Sequence, residues 1–310
     1  MTGTSITTVK HMSDITIIND SQQSELVTNG LAKNGELYLK AAGSTDEGAV
    51  VVYDSGAWRT FANEAGPSFT NAYSVQLDGA DDFVDLGDST TIQDGSTGAF
   101  TWSMWLKFSP PASGIARIIS RDNSGGSIGD RCFLLDIGNT NDLRIIIFEG
   151  GAVSVATWSG GASASNAGDN AWHHLAFVNE GSGSGTLRKI YFDGANQTLS
   201  GTTAGKNPDS NNQKLAIGAS YEAGNPSPVG FPFAGLIDEV AAWPSALSAS
   251  DITTIYNSGT PNDISSLNPV GWWRMGDNDG GTGTTITDQG SGGNNGTLTN
   301  GPTFSTDVPS

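Results

Sequence analysis

Asp238 and Glu239 stand side by side inside Gly235-Leu-Ile-Asp-Glu-Val-Ala-Ala-Trp243, a run whose apolar residues fall on both faces of an extended chain. A strand covered on both sides keeps a charge only where a cation or several backbone N–H groups compensate it. Paired carboxylates are also the equipment of glycoside hydrolysis, which holds them about 5–5.5 Å apart for retention and about 6.5–9.5 Å apart for inversion. Consecutive residues of a regular strand point to opposite faces, so Asp238 and Glu239 are expected to diverge and not to work as a pair. The same rule separates His173 from His174. His11 is the only other histidine, so a zinc site or a histidine-activated nucleophile lacks its remaining members. Cys132 is the single cysteine, which excludes an intrachain disulfide; in Arg131-Cys-Phe-Leu-Leu135 it reads as a buried, inert thiol.

The elements that must position these residues are mostly strands. Phe100, Trp102, Met104, Leu106 and Phe108 alternate onto one face, with Trp105 on the other. Segments 115–120, 131–137, 143–148 and 153–158 follow at the spacing of an antiparallel sandwich. After Trp243, Pro244 stops the strand. Ser248-Ala-Ser-Asp251 has the form of a capping box, and Ile252, Ile255 and Tyr256 continue at helical spacing. One short helix is therefore predicted near 248–257, closed by Gly259 and Pro261. Tyr221 and Phe231 flank a Gly/Pro-rich loop and are expected to be exposed, where sandwich proteins carry binding surfaces.

The formal net charge is −18, with only 14 Lys plus Arg against 32 Asp plus Glu. Nucleic acid and an anionic membrane surface are poor partners for such a chain. No apolar run approaches about 18 residues, and no basic stretch followed by an apolar core opens the chain. Membrane insertion and an export signal are therefore not expected. Asp in Gly/Asn-rich loops is both a hard-cation ligand and an Asx-turn former.

Four ordered segments carry a resemblance. They are Val75-Gln-Leu-Asp-Gly79 with Asp82-Phe-Val-Asp-Leu-Gly87, Phe100 to Phe108, Ala171 to Val178 with Ile190-Tyr-Phe-Asp-Gly194, and Gly235 to Val240 with Trp243-Pro-Ser-Ala-Leu-Ser248 and the helix behind it. Together they resemble laminin-G-like, concanavalin-A-like jelly-roll domains over roughly residues 67–261. The implied fold is all-β, an antiparallel sandwich over 67–310, with 269–310 supplying closing strands. Residues 1–66 form a separate small β-rich segment, too short for a good core of its own. The resemblance also implies that Asp78 and Asp238 approach one another near a structural calcium ion. The plain alternative is that Asp78 caps its Asp-Gly turn while Asp238 takes backbone N–H groups. Fold alone does not give function. The glucanases of this architecture carry a Glu-x-Asp-x-x-Glu strand face, which this chain lacks, so the expected protein is not an enzyme.

Gly35-Glu-Leu-Tyr-Leu39 and Val51-Val-Tyr-Asp-Ser-Gly-Ala-Trp-Arg59 resemble small β-rich units of phage virion and tail-fibre proteins. The expectation is a virion structural or adhesive protein. Its N-terminal segment would contact other virion proteins, and its sandwich would face host-surface glycan. A homotrimer is expected, since fibre-like parts commonly assemble as three. A bacterial surface carbohydrate-binding module is the first alternative and a divergent β-glucan hydrolase the second.

Overall fold

In a computed structural model, the structure describes residues 16–18, 37–40, 50–54, 57–60, 69–88, 98–111, 114–122, 131–181, 187–204, 206, 208–209, 214–221 and 230–310. The chain divides into two units, residues 1–68 and 69–310. In the first, β1 (Thr16–Ile18) runs parallel to β2 (Leu37–Lys40). Antiparallel pairs then link β2 to β3 (Val50–Asp54) and β3 to β4 (Ala57–Thr60), with Tyr53 opposite Trp58.

The second unit is two facing antiparallel sheets. One has the order β14 (Ala195–Asn196), β13 (Arg188–Phe192), β12 (His173–Glu180), β7 (Ala99–Lys107), β17 (Ala234–Trp243), β5 (Ser74–Asp78) and β21 (Thr303–Ser305). Strand β18 (Gly271–Trp273) adds to the far end of β17. The other has the order β15 (Ser200–Gly201), β11 (Ala152–Trp158), β10 (Leu143–Glu149), β9 (Phe133–Ile137), β8 (Ala116–Arg121), β16 (Leu215–Ile217), β6 (Phe83–Asp85), β20 (Gly296–Thr299) and β19 (Thr285–Ile286).

The alternation of β7 decides which face is core. Phe100, Trp102, Met104 and Leu106 enter the space between the sheets with Leu175, Phe177, Ile237 and Val240, against Ile118, Leu135, Ile145 and Ile147 of the opposing sheet. Trp102 stacks on Trp273 at 6.1 Å. Each such side chain contributes about 1.5–3 kcal/mol on burial. Cys132 lies buried in this core.

A second, smaller core explains why β17 is apolar on both faces. Helix α1 (Ala249–Tyr256) lays Ile252 and Ile255 on the outer face of the β7/β17 sheet, against Ala241, Trp243, Ile264 and Trp272. The expected capping box is formed. The Ser248 hydroxyl accepts from the Asp251 N–H at 3.2 Å, and the Asp251 carboxylate accepts from the Ser248 N–H at 3.0 Å. The helix ends where Asn257 turns left-handed, two residues before Gly259. The tail that follows adds β18 to β17, β20 to β6 and β21 to β5, and so supplies strands to both sheets. Among the described residues no helix is long and apolar enough to cross a membrane.

Candidate functional site

The two carboxylates of β17 are brought together, not apart. Asp238 lies opposite Trp105 and Ala241 opposite Ser103, so β17 carries one residue more than β7 over this step. The extra residue forms a bulge, with Glu239 in a left-handed conformation at φ 45°. Ile237 and Val240 both remain in the inter-sheet core, and Asp238 and Glu239 both emerge on the outer face. The expectation that they diverge is corrected here, because strict alternation ends at a bulge.

Arg274 is the cation of this cluster. It donates to Glu239 Oε1 at 2.9 Å, to Asp277 Oδ2 at 2.7 Å and to the Thr70 carbonyl at 2.6 Å. Trp272 Nε1 donates to Glu239 Oε2 at 2.7 Å, and Asn71 Nδ2 to Asp238 Oδ2 at 3.0 Å. Burial pushes the Asp238 carboxyl well above its usual range, reinforced by the charge of Glu239. Burial also raises Glu239, against the opposing pull of Arg274 and Trp272. Asp238 is 0% and Glu239 6% exposed. Beside Glu239 is a void of about 10 Å³ lined by Trp105, Ile255, Pro261, Asn262 and Ile264, enough for about one water. Both acids are closed off from solvent.

Another pair with catalytic spacing is sealed as well. Ser103 Oγ and His174 Nε2 are 2.8 Å apart, the distance of a nucleophile and its base. Both are buried beneath Tyr256 and Trp105, and desolvation depresses the His174 pKa to about 4. His173 points to the opposite face as expected, between Asp193 at 2.8 Å and Asp169 at 3.1 Å.

Asp78 and Asp238 do not meet. The register sets Asp78 opposite Ala234, four residues along β17 from Asp238, or about 13 Å. Asp78 instead gathers with Asp81 and Asp82, their carboxylate oxygens lying within 4.8 Å of one another. Asp78 Oδ1 accepts from the Ala80 N–H at 2.7 Å and Asp82 Oδ2 from the Asp78 N–H at 3.1 Å. Burial first, then the charges of Asp78 and Asp81, raises the Asp82 pKa. The remaining oxygens form an all-oxygen, anionic set of the kind that suits a hard cation.

The open feature lies beside this trio. The ends of β5, β7 and β9 and the starts of β8 and β17 converge at one end of the sandwich around a cleft of about 290 Å³. Gly79, Phe108, Ile115, Ile137, Pro232 and Phe233 are among its lining residues. On one rim stand the three acids, joined through Gly79. Phe231, 37% exposed, immediately precedes the lining residue Pro232. Its φ of 59° is left-handed, a strained backbone for a bulky residue, and strain of that kind concentrates at functional sites. Phe231 was expected to be exposed and is; Tyr221 was expected to be exposed and is buried against Phe83.

Beneath Phe231 runs an ionic row that the sequence reading missed. Strand pairing sets Arg117 opposite Asp136 and Asp136 opposite Arg144, on the outer face of the nine-stranded sheet. Arg117 Nη1 donates to Asp136 Oδ2, and Arg144 donates to both Asp136 oxygens at 2.8 Å. The Arg117 guanidinium sits 4.6 Å from the Phe231 ring centroid. Burial lowers both arginine pKa values, Arg117 to about 10. The available signal was a charged residue at an outward position in the apolar part of each of three strands.

Residues 78–253 match the laminin-G-type signature described as the concanavalin A-like lectin/glucanases superfamily. The chain belongs to that family. Among solved structures, it resembles a Bacteroides ovatus ATCC 8483 protein described as carbohydrate binding, at 18% identity and a TM-score of 0.51, over 89% of this chain and 71% of that one. The CBM40 of a Ruminococcus gnavus sialidase, bound to α2,3 sialyllactose, matches at 16% identity and a TM-score of 0.44, over 59% of this chain and 96% of that one. Mouse laminin α1 domains LG4-5 match at 12% identity and a TM-score of 0.38, over 59% and 44%. At these identities the likeness is one of fold. Among curated proteins none matches.

Proposed function

We propose that this member of the concanavalin A-like superfamily is a non-catalytic glycan-binding protein whose ligand sits in the strand-end cleft. The carrying observation is Phe231. It is exposed, held in a strained conformation, backed by a guanidinium and next in sequence to Pro232, which lines a cleft of ligand size. An aromatic face stacks on the apolar face of a sugar ring, and the polar backbone and short side chains around it meet hydroxyls. The carbohydrate-binding description of the Bacteroides relative supports this reading, as does the sealing of Asp238, Glu239, Ser103 and His174 away from substrate. A glycan binder of this kind belongs outside the cell or on a surface.

A hard cation at Asp78, Asp81 and Asp82 is part of the proposal. It would brace the acid rim through carboxylate oxygens, while Asp238 serves the interior. The finer reading, a phage-particle protein attached through residues 1–66 and assembled as a trimer, is supported by the N-terminal sequence pattern. Co-purification with particles and the mass in solution test it.

The test of the main reading is a glycan array run with the full chain and with Phe231→Ala. Binding that is lost in the variant, with no reducing ends released from the bound polysaccharide, is the expected outcome. Undiminished binding by the variant overturns the placement of the site, and release of reducing ends overturns the non-catalytic assignment.

A further inference from the structure

The strand-end cleft is lined without charge. Of its ten lining residues only Ser109 has a polar side chain, and none is acidic or basic. Phe108, Ala116, Ile137 and Phe233 form its inner wall; each is at most 3% exposed and each belongs to the inter-sheet core. The cleft is therefore a place where that core opens to solvent. Its rim differs, since Ser109 and Ala234 are exposed and Gly79 and Pro232 half-buried. With a net charge of −18 on the chain and Asp78 next to Gly79, an anionic ligand gains nothing here.

The inner wall has few hydrogen-bonding groups to offer. The Phe233 N–H donates to the Gly218 carbonyl at 2.8 Å, the Phe108 carbonyl accepts from the Asn170 N–H at 2.9 Å, and Ala116 pairs with Ile137 in the ladder between β8 and β9. The Phe108 and Phe233 rings meet edge to face, their centroids 5.4 Å apart. Gly235 permits that contact, because a Cβ there would lie 2.8 Å from Phe108 Cβ and 3.0 Å from the Phe233 ring. A hydroxyl pressed against this wall gives up water for few partners, whereas a methyl group there is simply removed from water. Polar groups of the same ligand are met at the rim, where the Ser109 hydroxyl stands.

We propose that the sugar taken by this cleft is neutral and carries a methyl group, that of a 6-deoxyhexose or of an N-acetyl substituent, which inserts against Phe108, Ala116, Ile137 and Phe233 while the ring hydroxyls face the rim. This rests on the glycan-binding reading above and adds the ligand class. The space suffices: the cleft holds about 290 Å³, and an apolar cavity of roughly 150 Å³ takes up benzene.

The test measures retention of the full chain on three pairs of matrices: L-fucose against L-galactose, L-rhamnose against L-mannose, and N-acetylglucosamine against glucose. The first two pairs differ only in a methyl against a hydroxymethyl group, the third in an acetamido group against a hydroxyl. At least about tenfold tighter retention of the methyl-bearing member of one pair is expected. The pair that responds tells a 6-deoxyhexose from an N-acetyl sugar. Equal retention within every pair overturns the methyl assignment and leaves glycan binding standing. No retention on any matrix also overturns it, and the glycan array then decides the binding reading by itself. Ala116→Leu, which adds three carbons to the inner wall, should lose at least about tenfold on the preferred matrix. Undiminished retention of that protein in folded form overturns the placement. Should it melt early, the paired matrices need only the unaltered protein, and Ala234→Leu at the exposed rim decides the placement by the same criterion.

Discussion

Two charged clusters sit on the two outer faces of this sandwich, and they have opposite fates. Asp238, Glu239, Asp277 and Arg274 lie under α1 and Trp272, with hydrogen bonds that close on one another. Arg117, Asp136 and Arg144 lie on the outer face of the other sheet, with Arg144 partly exposed and a strained aromatic ring above Arg117. Both clusters hold groups with displaced pKa values. The first is closed over by packing, and the second is partly open through Arg144 and Phe231. A shifted pKa therefore marks a costly arrangement, and access to solvent decides whether that cost serves a ligand.

The largest effect separating the two follows from removing the cation of the closed cluster. Arg274→Met leaves Glu239 and Asp277 buried without their partner and strips a donor from the Thr70 carbonyl. Breaking a buried pair this way costs about 3–5 kcal/mol. Urea denaturation should register that loss, while glycan affinity of the folded protein stays unchanged. A loss of binding at full stability would erase the distinction drawn between the two faces.

The next effect is a pH dependence confined to the closed cluster. Asp238 and Glu239 have folded-state pKa values raised above those of the unfolded chain, Glu239 from 4.5 to about 7. In that window the folded state binds more protons than the unfolded state, so stability falls as pH rises from about 4.5 towards 7. His173 contributes with the same sign at higher pH, since its raised pKa gives stability that is lost as pH climbs through it. Asp238→Asn keeps an acceptor for the Glu239 N–H and cannot ionise. It should flatten the decline by on the order of 1 kcal/mol across the window. Denaturation midpoints at several pH values, measured on both proteins, check it.

Much of this fold was legible, and the reasons are local. Four apolar residues alternate through β7 and Phe108 continues the pattern, and Ser248 and Asp251 cap a helix with its own apolar stripe; both patterns are periodic and need no partner to be read. The bulge at Glu239 was not legible, because nothing in Ile-Asp-Glu-Val demands a left-handed glutamate. The shorter run of β7 opposite imposes it. The pairing of Asp78 with Ala234 is likewise a matter of register between strands 156 residues apart in sequence. The Arg117 row needed three strands laid side by side before its charges became neighbours. Of the site itself, only the exposure of Phe231 in a Gly/Pro-rich loop could be read beforehand.

Phe231 offers a smaller effect with two opposed signs. Glycine at that position accepts φ 59° without strain, so Phe231→Gly should raise stability by up to about 1 kcal/mol. The same change removes the stacking face and should abolish retention on polysaccharide. A protein that becomes more stable as it loses its ligand shows that strain is held for binding, whereas a destabilised variant would make Phe231 an ordinary packing residue.

The smallest effect concerns the acid rim, and its sign depends on calcium. Without a cation, Asp78, Asp81 and Asp82 repel one another, and that repulsion helps to raise the Asp82 pKa. Removing one charge by Asp81→Asn then relieves the cluster, and the variant should melt slightly above the parent in chelator, by about 1–2 °C. With calcium present, the parent gains a ligand-linked stabilisation that the variant, short of one anionic oxygen, takes up less fully. The two melting curves should therefore exchange order when calcium replaces chelator. If the order is the same under both conditions, the trio is a turn-forming cluster and holds no metal.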